Sequence, residues 1–152
     1  MKSLPISENW KKTHTQLLCE SYFHFFHQPL LSLPSPTFND LFEAPFFLLS
    51  HGIELDPLLN FGNRRALELW ELSWEELTQM PSRLTAEPME RETRAQFMNS
   101  VRTHEFVENY SGIRISKSGR RFKIENAKVW NLIDSENQLR GQAALFDQWS
   151  YL

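Results

Sequence analysis

The second half of the chain carries apolar residues in short runs rich in β-branched and aromatic side chains, the pattern of half-buried strands. Residues 106–115, 122–133 and 142–149 read as three consecutive strands. Lys117-Ser118-Gly119-Arg120 supplies the first turn, with Gly119 free to take positive φ, and Asp134-Ser135-Glu136-Asn137 supplies the second. Phe122 and Ile124 fall on even positions, whereas Ala127 and Val129 fall on odd ones. A one-residue slip reverses faces, so a bulge is predicted near Asn126; which set points inward stays open. Such a meander exposes an apolar face that the rest of the chain must cover.

Upstream, the period changes to helical. Residues 7–27 read as a helix capped by Ser7, with Trp10, Leu17, Leu18, Tyr22 and Phe25 on one face and Phe23 and Phe26 widening it. That face suits packing on the domain or on the same helix of a second subunit. Three prolines in residues 29–37 exclude regular helix, and the main domain is expected to begin there: 1–36 as helix and linker, 37–152 as the domain. Thr37 caps a short turn. Residues 45–50 form a buried strand and 54–61 a second, with Pro57 at an edge or bulge. Three helices follow: residues 63–70, a second starting at the Ser73–Glu76 capping box, and 89–104. In the last, Phe97, Met98 and Val101 are read on one side, and Glu90, Arg91, Glu92 and Arg94 mostly on the other.

Composition narrows the function classes. The net charge of −3 gives no general reason to expect nucleic acid or an acidic membrane. The basic cluster Arg114, Lys117, Arg120, Arg121, Lys123 reads as a solvated hairpin balanced by Glu125 and Asp134. A single cysteine, Cys19, points to a reducing compartment, and with neither a signal peptide nor a bilayer-length apolar run the cytoplasm is expected. Twelve Phe and five Trp imply a bulky core, a lined cavity or a partner surface.

The order strand, strand, three helices, three strands resembles the PAS fold, an α+β architecture with a five-stranded antiparallel sheet and helices on one face, here with an added N-terminal helix. The run Leu59-Asn60-Phe61-Gly62-Asn63-Arg64-Arg65-Ala66-Leu67-Glu68-Leu69-Trp70 resembles the PAS passage from strand to helix. Ser73-Trp74-Glu75-Glu76-Leu77 and Ser118-Gly119-Arg120-Arg121-Phe122 are similar to the segments that follow it in PAS proteins. Within that group the chain is most similar to the MEKHLA family. The likeness rests on Asn60-Phe61-Gly62-Asn63, Leu69-Trp70, Pro81-Ser82-Arg83-Leu84-Thr85-Ala86, Ile124-Glu125-Asn126-Ala127, Val129-Trp130-Asn131-Leu132 and Gly141-Gln142-Ala143-Ala144. It extends upstream to Ser21-Tyr22 and Pro29-Leu30-Leu31. The hexapeptide that names the family is absent. The resemblance implies a sensory or regulatory module. The chain has no basic region and no leucine zipper, so the DNA binding of plant relatives does not carry over.

A PAS-type cavity would lie between the meander and the helices. Its expected lining includes Phe46, Leu48, Trp70, Phe97, Val101, Tyr110, Ile124, Val129 and Phe146, unless these rings simply fill the core. Asn126, Asn131 and Gln142 are amides within strands and suit the edge of a polar ligand, or else tie strands together. Arg83 suits an acidic group of a ligand, or pairs with Glu87. The cofactor stays open between a flavin and another small molecule. Covalent flavin chemistry needs a thiol beside the ring, and Cys19 lies in the N-terminal helix; haem is not expected. Glu20, His24 and His27 share a helix face but lack a fourth ligand, so no metal is expected. Nucleophile–base pairs, a Walker loop and GxGxxG are missing, and no enzyme is expected. Two functions remain: a sensor of a small molecule or redox cue signalling through a homodimer or protein partner, and a ligand-free interaction or dimerisation module.

Overall fold

The computed structural model describes residues 6–152, and all of their side chains but those of 88 and 89. The first five residues, part of the segment 1–36 and of the stretch read for a signal peptide, lie outside the described residues.

Local chemistry sets most element boundaries. Helix α1 spans Glu8–Phe26, with the Ser7 hydroxyl accepting from the Trp10 amide and His27 closing it in the left-handed region. Thr37 and Asp40 form a reciprocal capping box on α2, Phe38–Phe42, and Ser73 and Glu76 do the same on α4, Trp74–Leu77. Strand β1 is Phe47–His51 and β2 is Leu59–Gly62. Pro57 precedes β2 rather than interrupting it. Helix α3, Arg64–Trp70, is capped by Asn63. A 3-10 turn, Ser82–Thr85, leads to α5, Pro88–His104.

The three expected C-terminal strands become four. β3 is Phe106–Ile115, β4 is Arg121–Ile133, β5 is Leu139–Phe146, and β6 is Gln148–Tyr151. The stretch 142–149 was read as one strand because its apolar residues continue to Trp149. The chain breaks at Asp147 instead, so that β5 pairs with the second half of β4 and β6 with the first. The sheet order is β2-β1-β5-β4-β3, antiparallel throughout, with β6 also on β4.

Two opposed irregularities set which side chains face inward. Val107 pairs with Val129 and Tyr110 with Ala127, which leaves one extra residue on β3 around Asn109, at φ 58°. Tyr110 pairs with Ala127 and Gly112 with Ile124, which leaves one extra on β4 around Asn126, at φ 53°. The parity switch read from the sequence is this second bulge. Phe122, Ile124, Ala127 and Val129 are thereby all buried on one side of the strand's bend.

Both sheet faces are covered. On the inner face, Ala66, Leu69, Trp70 and Leu77 pack on Phe47, Leu49, Phe122, Ile124 and Phe146. On the outer face, Leu18, Tyr22, Phe25 and Phe26 of α1 pack on Leu48, Phe61, Trp130 and Leu132. Trp130 is fully buried there and meets Tyr22 edge-on at 5.0 Å. Of the two packings open to α1, the described one is onto its own sheet.

Asn63 ties these layers together. Its side-chain oxygen accepts from the amides of Leu48 and Ala66, and its amide nitrogen donates to the carbonyls of Phe46 and Leu41. All four hydrogen-bonding positions of the amide are used, at a residue with no exposed surface. Gly141 marks a close approach: at φ 154°, a Cβ there would lie 2.0 Å from the His51 carbonyl oxygen.

Candidate functional site

Between the inner sheet face and α5 lies a cavity of about 40 Å³, lined among others by Leu49, His51, Trp70, Arg94, Tyr110, Arg114, Val129 and Gln142. At roughly 10–15 Å³ per water, this is room for about three waters.

Its polar lining is cationic and unbalanced. Arg94 comes from α5 and Arg114 from β3, and they retain only 9% and 5% of their exposure. Arg114 donates to the Ile113 carbonyl at 2.8 Å and to the Tyr110 hydroxyl at 3.0 Å. Phe97 stacks on the Tyr110 ring with centroids 3.7 Å apart, which holds that ring against α5. Arg94 donates to no protein acceptor among the described residues, and its buried Nε is unpartnered. Neither arginine forms an ion pair with a described carboxylate. Burial, then the neighbouring Arg114 charge, lowers Arg94 to about 10, so it remains protonated at neutral pH. Burying an ion without a partner costs several kcal/mol. The indole Nε1 of Trp70 is a second buried donor without an acceptor among the described residues.

His51 donates from Nδ1 to the Gly52 carbonyl at 2.9 Å if that nitrogen carries the proton. Burial lowers its pKa, with Arg94 adding in the same direction and the Gly52, Gln142 and Glu54 contacts opposing.

The residues singled out from sequence divide into three groups. Trp70, Tyr110, Ile124, Val129, Gln142 and Phe146 line the cavity. Phe97, Val101 and Asn131 lie behind that lining: Phe97 in its stack on Tyr110, Val101 fully buried, and Asn131 bonded to the Arg102 carbonyl and to Gln142. Arg83 and Asn126 are elsewhere. Arg83 is exposed and pairs with Asp56 at 3.2 Å, while Glu87 pairs with Arg121. Asn126 is exposed on its bulge and donates to Gln148 at 2.9 Å, tying β4 to the first residue of β6. Phe46 and Leu48 pack in the outer core, because it is Phe47 and Leu49 that face the helices.

The residues missed were Arg94 and Arg114. Arg94 precedes Phe97, Met98 and Val101 by three, four and seven positions, which is the apolar face of α5 rather than its opposite. Arg114 shares the parity of Tyr110 and Gly112 in β3. Both spacings were visible; residue type alone led to a solvated reading.

On the outer face, His14 Nε2 lies 2.9 Å from the Ser50 hydroxyl, which itself donates to Asn60 Oδ1 at 2.5 Å. With its proton committed to Asn60, Ser50 accepts from His14. The histidine is then a donor rather than a base, and this trio is not a nucleophile site. Among the described residues, no group of three histidine, cysteine or acidic side chains is placed to hold a metal, and no helix is long and apolar enough to cross a membrane.

The strand order, the helical cover and the cavity between them define a PAS-like domain. Solved structures agree. The PAS domain of a protein from Colwellia psychrerythraea superposes with a TM-score of 0.62 at 12% identity, over 75% of this chain and 92% of that one. A light-oxygen-voltage domain, described in work on a flavin analogue, gives 0.60 at 12% identity over 76% and 83%. Residues 12–151 match the MEKHLA domain, and the chain belongs to that family. No curated protein matches it.

The residues present do not suit a flavin. A three-ring cofactor exceeds a cavity of about 40 Å³. Gln142 already spends both of its N–H donors, on Met98 and Asn131. The one thiol, Cys19, sits on α1, across the sheet, and burial followed by the Glu20 charge pushes it up to about 11.

Proposed function

We propose that this PAS-like domain is a non-catalytic cytoplasmic sensor. A small molecule enters the inner cavity, and the docking of α1 on the outer face reports its presence. In this reading residues 37–152 sense and residues 1–36 respond.

The observation that carries the reading is that β1 serves both faces of the sheet. Leu49, Ser50 and His51 all border the cavity, and the Ser50 hydroxyl takes the hydrogen bond from His14 of α1 on the outer face. A shift of β1 that accommodates a ligand would therefore be felt directly at the helix. Ser21 of α1 is bonded to both the amide and the carbonyl of Ile133, at 3.0 and 3.1 Å, which adds a second point of coupling at the end of β4. The switch requires the ligand to bind the two arrangements with different affinity.

Amide exchange along α1 tests this, with and without each hit from a metabolite screen. A ligand that binds while leaving exchange over residues 8–26 unchanged sinks the α1 readout.

A ligand-free interaction module is the second reading. Phe23 supports it: it lies on α1, away from the sheet, and remains 56% exposed. A homodimer through that face would lose mass on Phe23→Glu, which native mass spectrometry would detect.

A further inference from the structure

The geometry points to a small organic acid as the occupant of the inner cavity, with its carboxylate on Arg94 and Arg114 and its hydrocarbon end against Ile124 and Val129. This inference rests on the sensor reading above and names the ligand class.

The first support is the donor inventory. Among the described residues Arg94 has no acceptor, and Arg114 uses two of its N–H groups, on Ile113 and Tyr110. The Tyr110 hydroxyl accepts from Arg114 and so keeps its own proton to donate. Trp70 contributes a further buried N–H without a partner among the described residues. Residues that carry unpaired donors thus line one small space, and no described carboxylate answers them. Buried donors are ordinarily matched, and buried charges are ordinarily paired. A bound anion would satisfy both requirements at once, and the planar fork of arginine fits a carboxylate's two oxygens.

The second support is the rest of the wall. Leu49, Ile124, Val129 and Phe146 offer no polar side-chain group to a ligand. An inorganic oxyanion would leave this surface unused, whereas a short carbon chain would cover it. The volume of about 40 Å³ limits the ligand, without side-chain movement, to a few heavy atoms.

The test is isothermal titration of the full chain at constant ionic strength with propionate, its neutral isostere propionamide, and inorganic phosphate. Propionate should bind saturably. Propionamide should bind weaker by about ten- to a hundredfold, the loss expected for hydrogen bonds to a charged group. Phosphate should bind more weakly than propionate. Arg94→Met, checked for folding by circular dichroism, should lose propionate by a similar factor, and Arg114→Met provides a second variant should the first not fold. Equal affinity for propionamide, tighter binding of phosphate, undiminished binding in both variants, or no saturable heat with propionate would each overturn the assignment. Amide exchange on the propionate-saturated protein separates the two proposals. Binding without a change along α1 supports the acid site and removes the readout. A neutral molecule that alters α1 while propionate does not bind removes the acid site and keeps the readout.

Discussion

Asn131 and Gln142 stand directly opposite one another in β4 and β5, and Gln142 Nε2 reaches Asn131 Oδ1 at 3.2 Å and the Met98 carbonyl at 3.0 Å. Asn131 Nδ2 in turn donates to the Arg102 carbonyl at 3.2 Å. Met98 and Arg102 are one turn apart on α5, so the cross-strand amide pair clamps two successive turns of the helix to the sheet. Gln142→Leu leaves Asn131 Oδ1 buried and unpaired. It should cost about 1–3 kcal/mol in chemical denaturation and speed amide exchange in the last turns of α5. The double variant Asn131→Leu/Gln142→Leu should recover part of that loss, because it removes both partners; a strictly additive cycle would contradict the clamp.

His14 gives the protein a predictable sensitivity to acid. Burial lowers its pKa from 6.5 to about 4 in the folded chain. The unfolded chain takes up a proton below 6.5 that the folded chain refuses until about 4. Stability contributed by neutral His14 is therefore complete above 6.5 and lost as pH falls toward 4, by up to about 3 kcal/mol. The lowered pKa of His51 acts in the same direction. Denaturation of His14→Gln between those limits should show a flatter pH dependence than the parent, and an unchanged slope would refute the assignment.

Asn63 should be the least replaceable polar residue in the fold. Asn63→Ala removes the α3 cap, strands the Leu48 amide and the Phe46 carbonyl, and leaves the Leu41 carbonyl with the Ala44 amide alone. A loss of about 3 kcal/mol or more is expected in urea titration. Asn63→Asp keeps the acceptor and the cap but sets a buried carboxylate oxygen against the Phe46 and Leu41 carbonyls, so at neutral pH it should destabilise at least as much as Asn63→Ala.

Gly141→Ala places a methyl group against the His51 carbonyl in a conformation that side chains disfavour. It should destabilise by about 1–3 kcal/mol, with amide signals of β1 as well as β5 shifting in NMR spectra. Changes confined to β5 would contradict the close approach.

The fold was legible because its punctuation is local. Ser7, Thr37, Asn63 and Ser73 each announce a helix start with a side chain that then makes the bond. The shift of parity across Asn126 announced the bulge before any pairing was known. The site was legible only in part, since a ligand cavity depends on side chains from distant strands meeting. Gln142 was found as an amide within a strand, and Tyr110 as an aromatic in the lining expected of a PAS-type cavity. Asn126 was another such amide, yet it serves Gln148 at the surface. Arg94 and Arg114 escaped because burial of an arginine is set by tertiary packing, and the helical spacing that put Arg94 beside Phe97 and Met98 was outweighed by its charge.

The opposed bulges at Asn109 and Asn126 have a consequence for how such a sheet can change over time. Each inserts one residue, and between them Tyr110 and Ala127 remain partners. Each bulge already absorbs its own extra residue, so that Val107 and Tyr110, and likewise Ile124 and Ala127, share a face in spite of their odd spacing. Removing either asparagine would regularise that stretch and leave the flanking side chains on their present faces. A residue lost or gained elsewhere in these strands would instead turn the remainder over, which makes the two bulges the positions where the strands can change length without losing Arg114 from the cavity wall.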